Sequence, residues 1–423
     1  MITSELYDLF LKSNGVSTDT RSIVKGSIFF CLKGGNFDGN NFALEALKNG
    51  ANYVVIDNHK LKNPKFIKVD DVLIALQRLS AFHRSKLKNT IFIAITGSNG
   101  KTTTKELLHI VLNKGFKTIS TLGNLNNHIG VPLTLLNIKK NSDFAIVEMG
   151  ANHIGEIDFL TNLIKPDLGY ITNFGKAHLE GFGGLKGVIK GKSELYNWLL
   201  ENNKPILINT NDSTQANFIN SKSITFGKGN NSKYIFEKNN NQDFISVKYK
   251  NIKINSNLTG EYNFDNIGAA ISLGLHFKLD AKSIKNAIES YIPKNNRSEI
   301  ITINNRKIIL DAYNANPSSV QLAINSFKKL ADSKIVILGD MFELGKYSKF
   351  EHQEIINLLE NLKIRALLVG EEFYKLKIQS DSCFFFKTKI ELVLEISKNL
   401  IKEKNILIKG SRGMKMEELI NHI

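Results

Sequence analysis

Residues 91–106 of the chain read IFIAITGSNGKTTTKE, and this stretch decides the fold. A run of apolar, β-favouring residues is followed by a short glycine-containing turn, and then by Lys101 and three threonines that can open a helix. A strand, a glycine loop and a helix in this order form the context that a phosphate-binding loop needs. The stretch therefore predicts an α/β fold with a nucleoside triphosphate site.

Each residue type in the loop suits phosphate binding. Gly97 and Gly100 allow backbone amides to approach an anion closely, and the first turn of the helix adds the positive end of its dipole. Lys101 neutralises phosphate charge, and the hydroxyl of Thr102 is a potential ligand of Mg²⁺. The other loop residues that we expect to contact the nucleotide are Ser98, Asn99 and Thr103.

The loop is a variant of the commoner phosphate-binding pattern, which has glycine at the position of Ile95. The competing interpretation is a tight strand-to-helix turn that happens to contain Gly-Lys-Thr. A motif of this kind is supported when a strand precedes it and a helix follows it, and the sequence predicts both.

Length and composition exclude several classes of protein. A chain of 423 residues is too long for a single core and suggests two or three domains. No apolar run reaches the length of a membrane span, and the first residues do not resemble a signal peptide, so we expect a cytoplasmic protein without membrane insertion. Cys31 and Cys383 lack metal-ligand spacing and are expected to be buried thiols.

The net charge of +16 raises the question of a nucleic-acid partner. The basic residues are mostly scattered lysines without a long basic run, so we expect no nucleic-acid partner. A P-loop ATPase stimulated by nucleic acid stays open as the alternative from a different class. That alternative predicts DNA binding that weakens steeply with salt.

Apolar strand-like segments alternate with helix-like segments along the whole chain, which predicts an α/β architecture of three domains. Residues 1–87 form a small N-terminal α/β domain, and residues 88–297 form a central P-loop ATPase-like domain with a parallel sheet. Residues 298–423 form a Rossmann-like, doubly wound C-terminal domain. The polar stretch 237–243 is predicted to be a hairpin or loop.

Two further apolar runs in the central domain end in polar residues. Ligands of an open α/β sheet gather outside the carboxyl ends of its strands, so Glu148, Thr172 and Asn173 are expected to face the same crevice as Lys101. Glu148 stands where a carboxylate ligand of Mg²⁺ belongs. An ordinary charged strand end is the alternative.

Other polar residues have both a structural and a functional interpretation. His178 lies in a glycine-rich loop and is either a metal ligand or a structural histidine. A cluster of amides precedes an apolar segment and either binds substrate carbonyls or caps a turn; it comprises Asn124, Asn126 and Asn127. Two polar turns in the N-terminal domain, at 17–21 and 34–39, are ordinary connecting loops when judged by residue type alone.

The chain resembles the Mur ligase family, the ATP-dependent amide ligases of bacterial cell-wall synthesis, over essentially its whole length. The motifs that carry the resemblance are TGSNGKTTTK, GNLNNHIGVPLTLL, EMGANHIGEI, AHLEGFGG, DAYNANPSS, LGDMFELG and KGSRGMKME. The resemblance implies a ligase that joins D-alanyl-D-alanine to the terminal carboxylate of UDP-N-acetylmuramoyl-tripeptide through an acyl phosphate. It implies ATP and Mg²⁺ as cofactors, these small molecules as the only partners, and a monomer.

The resemblance also implies roles for individual residues. Lys101 would bind the triphosphate, while Thr102, Glu148 and His178 would hold Mg²⁺. Lys192 would become a carbamate and a further Mg²⁺ ligand, the alternative being a solvated helical lysine. For the nucleotide, the resemblance implies Asn263 and Asn266 near the adenine, Asp311 at the ribose and Arg297 near a phosphate. The positions expected for the uridine diphosphate and the other substrates are Thr20, Arg21, Asp38, Gly39, Asn124, Asn126, Asn127, Tyr313, Asn314, Asn316 and Arg412.

Some positions depart from the family pattern. Tyr262 stands where the family often has histidine, His128 where it has an acidic residue, and Leu310 where it has the first of two aspartates.

A related ligase that adds a single amino acid to the peptide, or glutamate to folate, is the near alternative. The segment 314–317 reads Asn-Ala-Asn-Pro instead of the D-N-P-R type of signature, which argues against a ligase for a diamino acid.

Overall fold

The computed structural model describes residues 2–239, 244–294, 296–398 and 401–423. Part of the predicted hairpin or loop, residues 240–243, lies outside the described residues. The chain divides into two compact units, of which the first comprises Met1–Ile95, Phe116–Gly150 and Glu156–Leu168, and the second comprises Thr96–Gly115, Ala151–Gly155 and Gly169–Ile423. The domain boundaries predicted after residues 87 and 297 stay a prediction.

Helices and strands alternate along the chain. The first elements are α1 (Thr3–Leu11), β1 (Val16–Ser17), β2 (Ile28–Phe30), β3 (Lys33–Gly34), β4 (Phe37–Asp38), α2 (Ala43–Lys48), β5 (Tyr53–Ile56), β6 (Phe66–Lys68) and α3 (Val72–Lys86). They are followed by β7 (Ile91–Thr96), α4 (Lys101–Leu112), β8 (Thr118–Ser120), α5 (Gly130–Asn137), β9 (Phe144–Glu148), α6 (Glu156–Ile164), β10 (Leu168–Ile171), α7 (Leu179–Phe182), α8 (Leu185–Glu201), β11 (Ile206–Asn209), α9 (Ser213–Ala216), β12 (Ile224–Gly227), β13 (Tyr234–Ile235), β14 (Glu237–Asn239), β15 (Ser246–Tyr249), β16 (Ile252–Asn255), α10 (Asn263–His276) and α11 (Ala281–Ser290). The last elements are β17 (Glu299–Ile303), β18 (Arg306–Asp311), α12 (Pro317–Phe327), β19 (Lys334–Gly339), α13 (Ser348–Leu362), β20 (Arg365–Val369), α14 (Glu371–Tyr374), β21 (Cys383–Phe386), α15 (Lys389–Lys398) and β22 (Asn405–Lys409).

The first unit contains two parallel sheets. One has the strand order β1-β2-β5-β6, and in the other β9 lies between β7 and β8. Helix α3 begins where the Asp71 side chain accepts a hydrogen bond from the amide of Ile74. Its residues Leu76 and Leu79 are buried in one core with Phe10 of α1, and burial of each such side chain contributes about 2 kcal/mol.

The second unit contains both parallel and antiparallel strands. Strands β10, β11, β12 and β13 pair in that order and are parallel, whereas β14, β15 and β16 are antiparallel. Helix α10 packs against α4, the helix that follows the glycine loop. The chain therefore has the strand, loop and helix that the opening stretch predicts, with β7 ending at Thr96 and α4 beginning at Lys101.

The last part of the chain confirms the predicted doubly wound α/β architecture. Its sheet has the order β17-β18-β22-β19-β20-β21, and only β17 is antiparallel to its neighbour. The central strands read as nearly continuous apolar runs because a parallel sheet is covered by helices on both faces. The carboxyl ends of β18, β22 and β19 therefore meet at one edge, at Asp311, Lys409 and Gly339.

Two expectations from composition concern burial and membrane insertion. Cys31 and Cys383 are free, buried thiols, and burial raises the pKa of each to about 12. Within the described parts of the chain, no helix combines the length and the apolar character needed to cross a bilayer.

Candidate functional site

The glycine loop of the second unit has a backbone that only glycine adopts without strain. Gly97 has φ +139° and Gly100 has φ +80°. A Cβ atom on Gly97 would lie 2.0 Å from Oγ1 of Thr172, and one on Gly100 would lie 2.5 Å from Oδ1 of Asn266. Both glycines are therefore required by the backbone angle and by the closeness of neighbouring side chains.

The loop is attached to the residues that follow β10. The Ser98 amide donates to the carbonyl of Asn173 at 3.0 Å. The Asn99 carbonyl accepts from Oγ1 of Thr172 at 2.5 Å and from Nδ2 of Asn173 at 2.9 Å, while the Asn99 amide donates to Oδ1 of Asn173 at 3.1 Å. Thr172 and Asn173 thus contact the loop, as their position at a strand end suggested.

Lys101 is the first residue of α4, and its ammonium group lies within the arc of the loop. Its Nζ donates to the carbonyls of Gly97 at 2.7 Å and of Ser98 at 3.3 Å. Thr102 is buried and Thr103 is half-buried in the first turn of the same helix. A positive charge, a helix N-terminus and a glycine loop are together the components of a phosphate site.

Asn263 and Asn266 lie behind the loop in α10, and both are buried. Oδ1 of Asn266 accepts from Oγ1 of Thr104 at 3.1 Å, and its Nδ2 donates to Oδ1 of Asn263 at 2.8 Å. Asn263 in turn donates to the carbonyl of Thr259 at 2.6 Å. These two amides tie α10 to α4, and their predicted contact with the nucleotide stays a prediction.

Asn316 contacts the glycine loop directly. Its Nδ2 donates to Oδ1 of Asn99 at 2.7 Å. The Oδ1 atom of Asn316 caps α12 by accepting from the amide of Ser319 at 2.9 Å. One side chain therefore connects the start of α12 with the loop, a contact that the sequence did not indicate.

The loop that contains His178 is held by acidic residues of a later segment. Nζ of Lys176 lies 2.7 Å and 3.0 Å from the two carboxylate oxygens of the buried Glu351. Nδ1 of His178 lies 2.5 Å from Oε2 of Glu343, and this contact holds the pKa of the Glu343 carboxyl below its usual range. Since Nδ1 faces this carboxylate, Nε2 is the ring nitrogen that is better placed to bind a metal ion.

Lys192 is buried in α8, with a relative exposure of 1%. Its Nζ donates to the carbonyl of Ala151 at 3.3 Å and lies 5.0 Å above the ring of Phe182. The interpretation as a solvated helical lysine is therefore wrong. A carbonyl oxygen and a ring face both suit an ammonium ion, so carbamylation of Lys192 stays a prediction.

The predicted nucleotide and substrate residues near 297 and 313 form a stack. The guanidinium of Arg297 lies 3.6 Å from the ring centroid of Tyr313, and that of Arg412 lies 5.8 Å from it. Arg412 also donates to Glu417 at 2.7 Å. Oδ1 of Asn314 accepts from the following backbone amide, so its side chain stabilises the turn.

The first unit contains Glu148 and the amide cluster. Glu148 ends β9 with its side chain buried, and its Oε1 accepts from Nδ2 of Asn126 at 2.8 Å. Asn127 accepts from two amides of the following turn, which confirms the capping interpretation for this residue. Asn124 is exposed, and its carbonyl accepts from the amide of Asn126 at 2.8 Å.

The predicted uridine-diphosphate residues lie in two short turns of the first unit. Thr20 and Arg21 belong to a 3₁₀ turn, in which Nη2 of Arg21 lies 2.6 Å from Oδ2 of Asp19. This partner lowers the pKa of the Asp19 carboxyl to about 2. Asp38 accepts from the amide of Asn40 at 2.9 Å, and Gly39 starts the second turn.

A cavity of about 980 Å³ lies in the first unit beside one of these turns. Its walls include Thr18, Asp19, His83, Ser120 and Leu125. A cavity of this volume with both polar and apolar walls is of the size that holds a nucleotide-like ligand.

Oxygen donors suited to Mg²⁺ are present among the predicted ligands. The Thr102 hydroxyl and the Glu148 carboxylate are of the hard type that this ion prefers. In the part of the chain that the structure describes, no group of three or more His, Cys, Asp and Glu side chains forms a metal site. The donor chemistry fits the ion, and its binding stays a prediction.

Several residues of this region were not found by sequence reasoning. Glu343 and Glu351 contact the loop of His178, and Lys409 pairs with Asp311 at 2.6 Å. Lys409 ends a strand in the KGSRGMKME motif, so its place at a strand end was the available signal. Glu343 lies in the LGDMFELG motif, which was its available signal, whereas Glu351 carried none because its partner Lys176 lies far away in the sequence.

Three family models match the chain. The model described as "Mur ligase family, catalytic domain" matches residues 12–86, and "Mur ligase middle domain" matches residues 95–274. "Mur ligase, glutamate ligase domain" matches residues 296–412. Together these matches cover most of the chain.

Curated relatives match over almost the full length. A protein of Bacillus subtilis (strain 168) named UDP-N-acetylmuramoyl-tripeptide--D-alanyl-D-alanine ligase is 34% identical, and the alignment covers 97% of this chain and 93% of the relative. A protein of Escherichia coli (strain K12) with the same name is 32% identical, with coverage of 99% and 96%.

Solved structures share the fold. Crystal structure I of MurF from Acinetobacter baumannii has a TM-score of 0.86 at 29% identity and covers 96% of this chain and 92% of its own. The MurF ligase of Thermotoga maritima in complex with ADP has a TM-score of 0.84 at 24% identity, with coverage of 98% and 97%. The predicted α/β fold class is therefore confirmed.

Proposed function

The chain belongs to the Mur ligase family, and we propose that it joins D-alanyl-D-alanine to the terminal carboxylate of UDP-N-acetylmuramoyl-tripeptide with consumption of ATP. The observation that carries this proposal is the near full-length match to ligases of that name from several bacteria. The glycine loop with Lys101 is the structural support, because amide formation between a carboxylate and an amine needs a phosphate donor.

The chemistry explains why ATP is needed. A carboxylate resists attack by an amine, because it is negatively charged and lacks a good leaving group. Transfer of the γ-phosphoryl group to the terminal carboxylate releases ADP and leaves an acyl phosphate. The amine of D-alanyl-D-alanine then attacks the carbonyl carbon, the carbon–nitrogen bond forms, the bond to the phosphate oxygen breaks, and inorganic phosphate leaves.

We assign the triphosphate to the glycine loop. Amides of residues 100–102, at the start of α4, would bind phosphate oxygens, and the Lys101 ammonium would offset the charge that develops on the transferring group. Because Thr172 and Asn173 hold the Asn99 backbone, the loop is positioned by protein contacts and needs little rearrangement to bind an anion.

Mg²⁺ supplies neutralisation of charge on the phosphates when it is bound. We assign Thr102 and Glu148 as its ligands, with His178 and the carbamate of Lys192 on a second ion. The contact between Nδ1 of His178 and Glu343 supports this role, since histidines that bind metals through one ring nitrogen usually have a carboxylate or carbonyl at the other.

The two peptide substrates need separate sites. We assign the uridine nucleotide to the cavity of about 980 Å³, because its walls include the exposed Lys139 and Lys140, whose charges suit the diphosphate. Asp19 and Ser22, which flank Thr20 and Arg21, also line it. A second cavity of about 750 Å³ at the carboxyl ends of β19 and β20 includes Glu371 and Lys387. Charges of both signs suit the zwitterion D-alanyl-D-alanine.

We further propose that the protein acts in the cytoplasm as a monomer, with domains at 1–87, 88–297 and 298–423. The alternative of a ligase for single amino acids has no specific support from the described contacts. The alternative of a nucleic-acid-stimulated ATPase is opposed by the family membership.

A ligation assay tests the proposal. Purified protein is incubated with ATP, Mg²⁺ and UDP-N-acetylmuramoyl-tripeptide, and either D-alanyl-D-alanine or single amino acids are added. We expect phosphate release and a UDP-linked pentapeptide only with D-alanyl-D-alanine. ATP hydrolysis that ignores both substrates, or product formation with free amino acids alone, would contradict it.

A further inference from the structure

Lys409 is a buried cation that donates hydrogen bonds to Asp311 and Asn314. It is the last residue of β22, the strand between β18 and β19, and its relative exposure is 2%. Its Nζ lies 2.6 Å from Oδ2 of Asp311, 3.1 Å from the carbonyl oxygen of Asn314 and 3.3 Å from that of Asp311. An ammonium group has three hydrogens to donate, and three acceptors surround this one.

The arrangement constrains the loop because a buried ammonium group is costly when its hydrogen bonds are lost. The acceptors span the segment 311–314, so the lysine fixes both the side chain at the start of the turn and a carbonyl three residues later. The carboxylate of Asp311 is oriented at the same time, since Oδ2 faces Lys409 while Oδ1 accepts from the amide of Ser298 at 3.3 Å.

The fixed segment leads directly to the glycine loop. Two residues after Asn314, the side chain of Asn316 caps α12 and donates to Oδ1 of Asn99. Lys409 therefore lies at the end of a continuous path of contacts, through residues 311–316, to the loop that we assign to the triphosphate.

We infer that Lys409 is a positioning residue of the nucleotide site, which holds the carboxylate of Asp311 towards the ribose hydroxyls and residues 311–316 against the glycine loop. The inference rests on the proposed function, because it requires that the site binds ATP, and on the ribose contact that the family resemblance implies for Asp311. Lys409 itself does not touch the nucleotide. Its effect is on how well the site distinguishes a ribose with hydroxyls from one without them.

Binding of ATP and of 2′,3′-dideoxy-ATP, measured by isothermal titration calorimetry on the full chain, tests this inference. Lys409→Met removes the ammonium group from a side chain of similar length, and Lys409→Gln keeps an amide that can still donate. The matched control is Lys404→Met, which changes a lysine just before β22 that is 67% exposed in its side chain. Unfolding midpoints establish that each variant is folded.

We expect the unmodified chain to prefer ATP over the dideoxy nucleotide by about tenfold, the usual effect of a hydrogen bond to a charged group. Lys409→Met should reduce this preference to about twofold or less, Lys409→Gln should give an intermediate value, and Lys404→Met should keep it. A purely structural role would weaken both nucleotides equally and leave their ratio unchanged.

The possible failures are distinguishable. If the unmodified chain binds no ATP, the proposed function is wrong and the inference falls with it. If it binds ATP but shows no preference, or if folded Lys409→Met keeps the preference, the inference is overturned while the function stands. If neither Lys409 variant folds, the lysine serves the fold alone and the inference is also overturned.

Discussion

At the scale of single residues, the polar side chains around the glycine loop are held in place by other parts of the protein. Asn99 is bound by Asn316, Asn266 by Thr104, and Asp311 by Lys409. Groups that are already oriented lose little entropy when a ligand binds, and they stabilise developing charge without rearrangement. Burying such polar groups requires hydrogen-bond partners within the folded protein, and these contacts supply them.

We expect the loss of Lys101 to weaken ATP binding most. Lys101→Ala removes the only lysine within the loop and should weaken ATP binding by about 2–3 kcal/mol, or about a hundredfold, because a charged hydrogen-bond donor to phosphate is lost. Titration calorimetry with ATP and Mg²⁺ measures the effect. Lys114→Ala, an exposed lysine beyond the end of α4, is the control and should bind normally; equal affinities for the two variants would contradict the assignment.

At the scale of elements, the turn from β7 into α4 depends on glycine. Gly97→Ala should abolish nucleotide binding, because the new Cβ would lie 2.0 Å from Oγ1 of Thr172 at a φ of +139°. Relief of this clash would displace the loop from the residues after β10. A filter-binding assay with labelled ATP checks the loss, and Gly183→Ala, whose Cβ would meet no atom within 4 Å, controls for backbone strain alone.

The N-terminus of α12 offers a way to separate helix capping from contact with the glycine loop. Asn316→Asp keeps an oxygen that accepts from the Ser319 amide, but it replaces the Nδ2 donor to Asn99 with an acceptor. We expect the unfolding midpoint to change little and the ATP affinity to fall about tenfold.

Asn316→Ala is the comparison for that variant. It removes the cap as well as the contact, and should cost about 1 kcal/mol of stability in addition. Should Asn316→Asp bind ATP as tightly as the unmodified chain, the contact with Asn99 has no role in nucleotide binding.

At the scale of the whole molecule, stability should depend on pH through buried histidines. His83 is buried in α3, its Nε2 lies 2.9 Å from the carbonyl of Ile138, and burial lowers its pKa. An unfolded histidine takes up a proton near pH 6.5 while the folded one resists it, so the free energy of unfolding should fall as the pH decreases below about 6.5. Burial lowers the pKa of other histidines in the same direction; these are His109, His276 and His352.

His83→Gln tests this dependence, because glutamine keeps an amide donor and does not titrate. The free energies of unfolding from urea titrations at pH 7.5 and 5.5 should differ less for this variant than for the unmodified chain, by on the order of 1 kcal/mol for each unit of pKa shift removed. The control is His59→Gln, which changes an exposed histidine. An unchanged difference between the two pH values in His83→Gln would mean that this histidine does not contribute.

The sequence by itself determined the elements and the phosphate-binding turn. The apolar runs at 307–310, 334–339, 366–370, 383–386 and 405–410 predict strands there. They agree with β18, β19, β20, β21 and β22 to within about two residues, because strand periodicity and turn residues act over short distances. The glycine loop was predicted for the same reason, since its strand, turn and helix are contiguous. The family resemblance was likewise contained in local motifs.

Only the tertiary structure decided which polar groups meet. Asn99 and Asn316 are 217 positions apart, Lys176 and Glu351 are 175 apart, and Asp311 and Lys409 are 98 apart. The choice of such partners depends on strand order and on how helices pack, which no local pattern of residue types specifies. Whether a side chain is buried also depends on the tertiary structure, because a lysine in a helix becomes a buried cation only when other elements cover it.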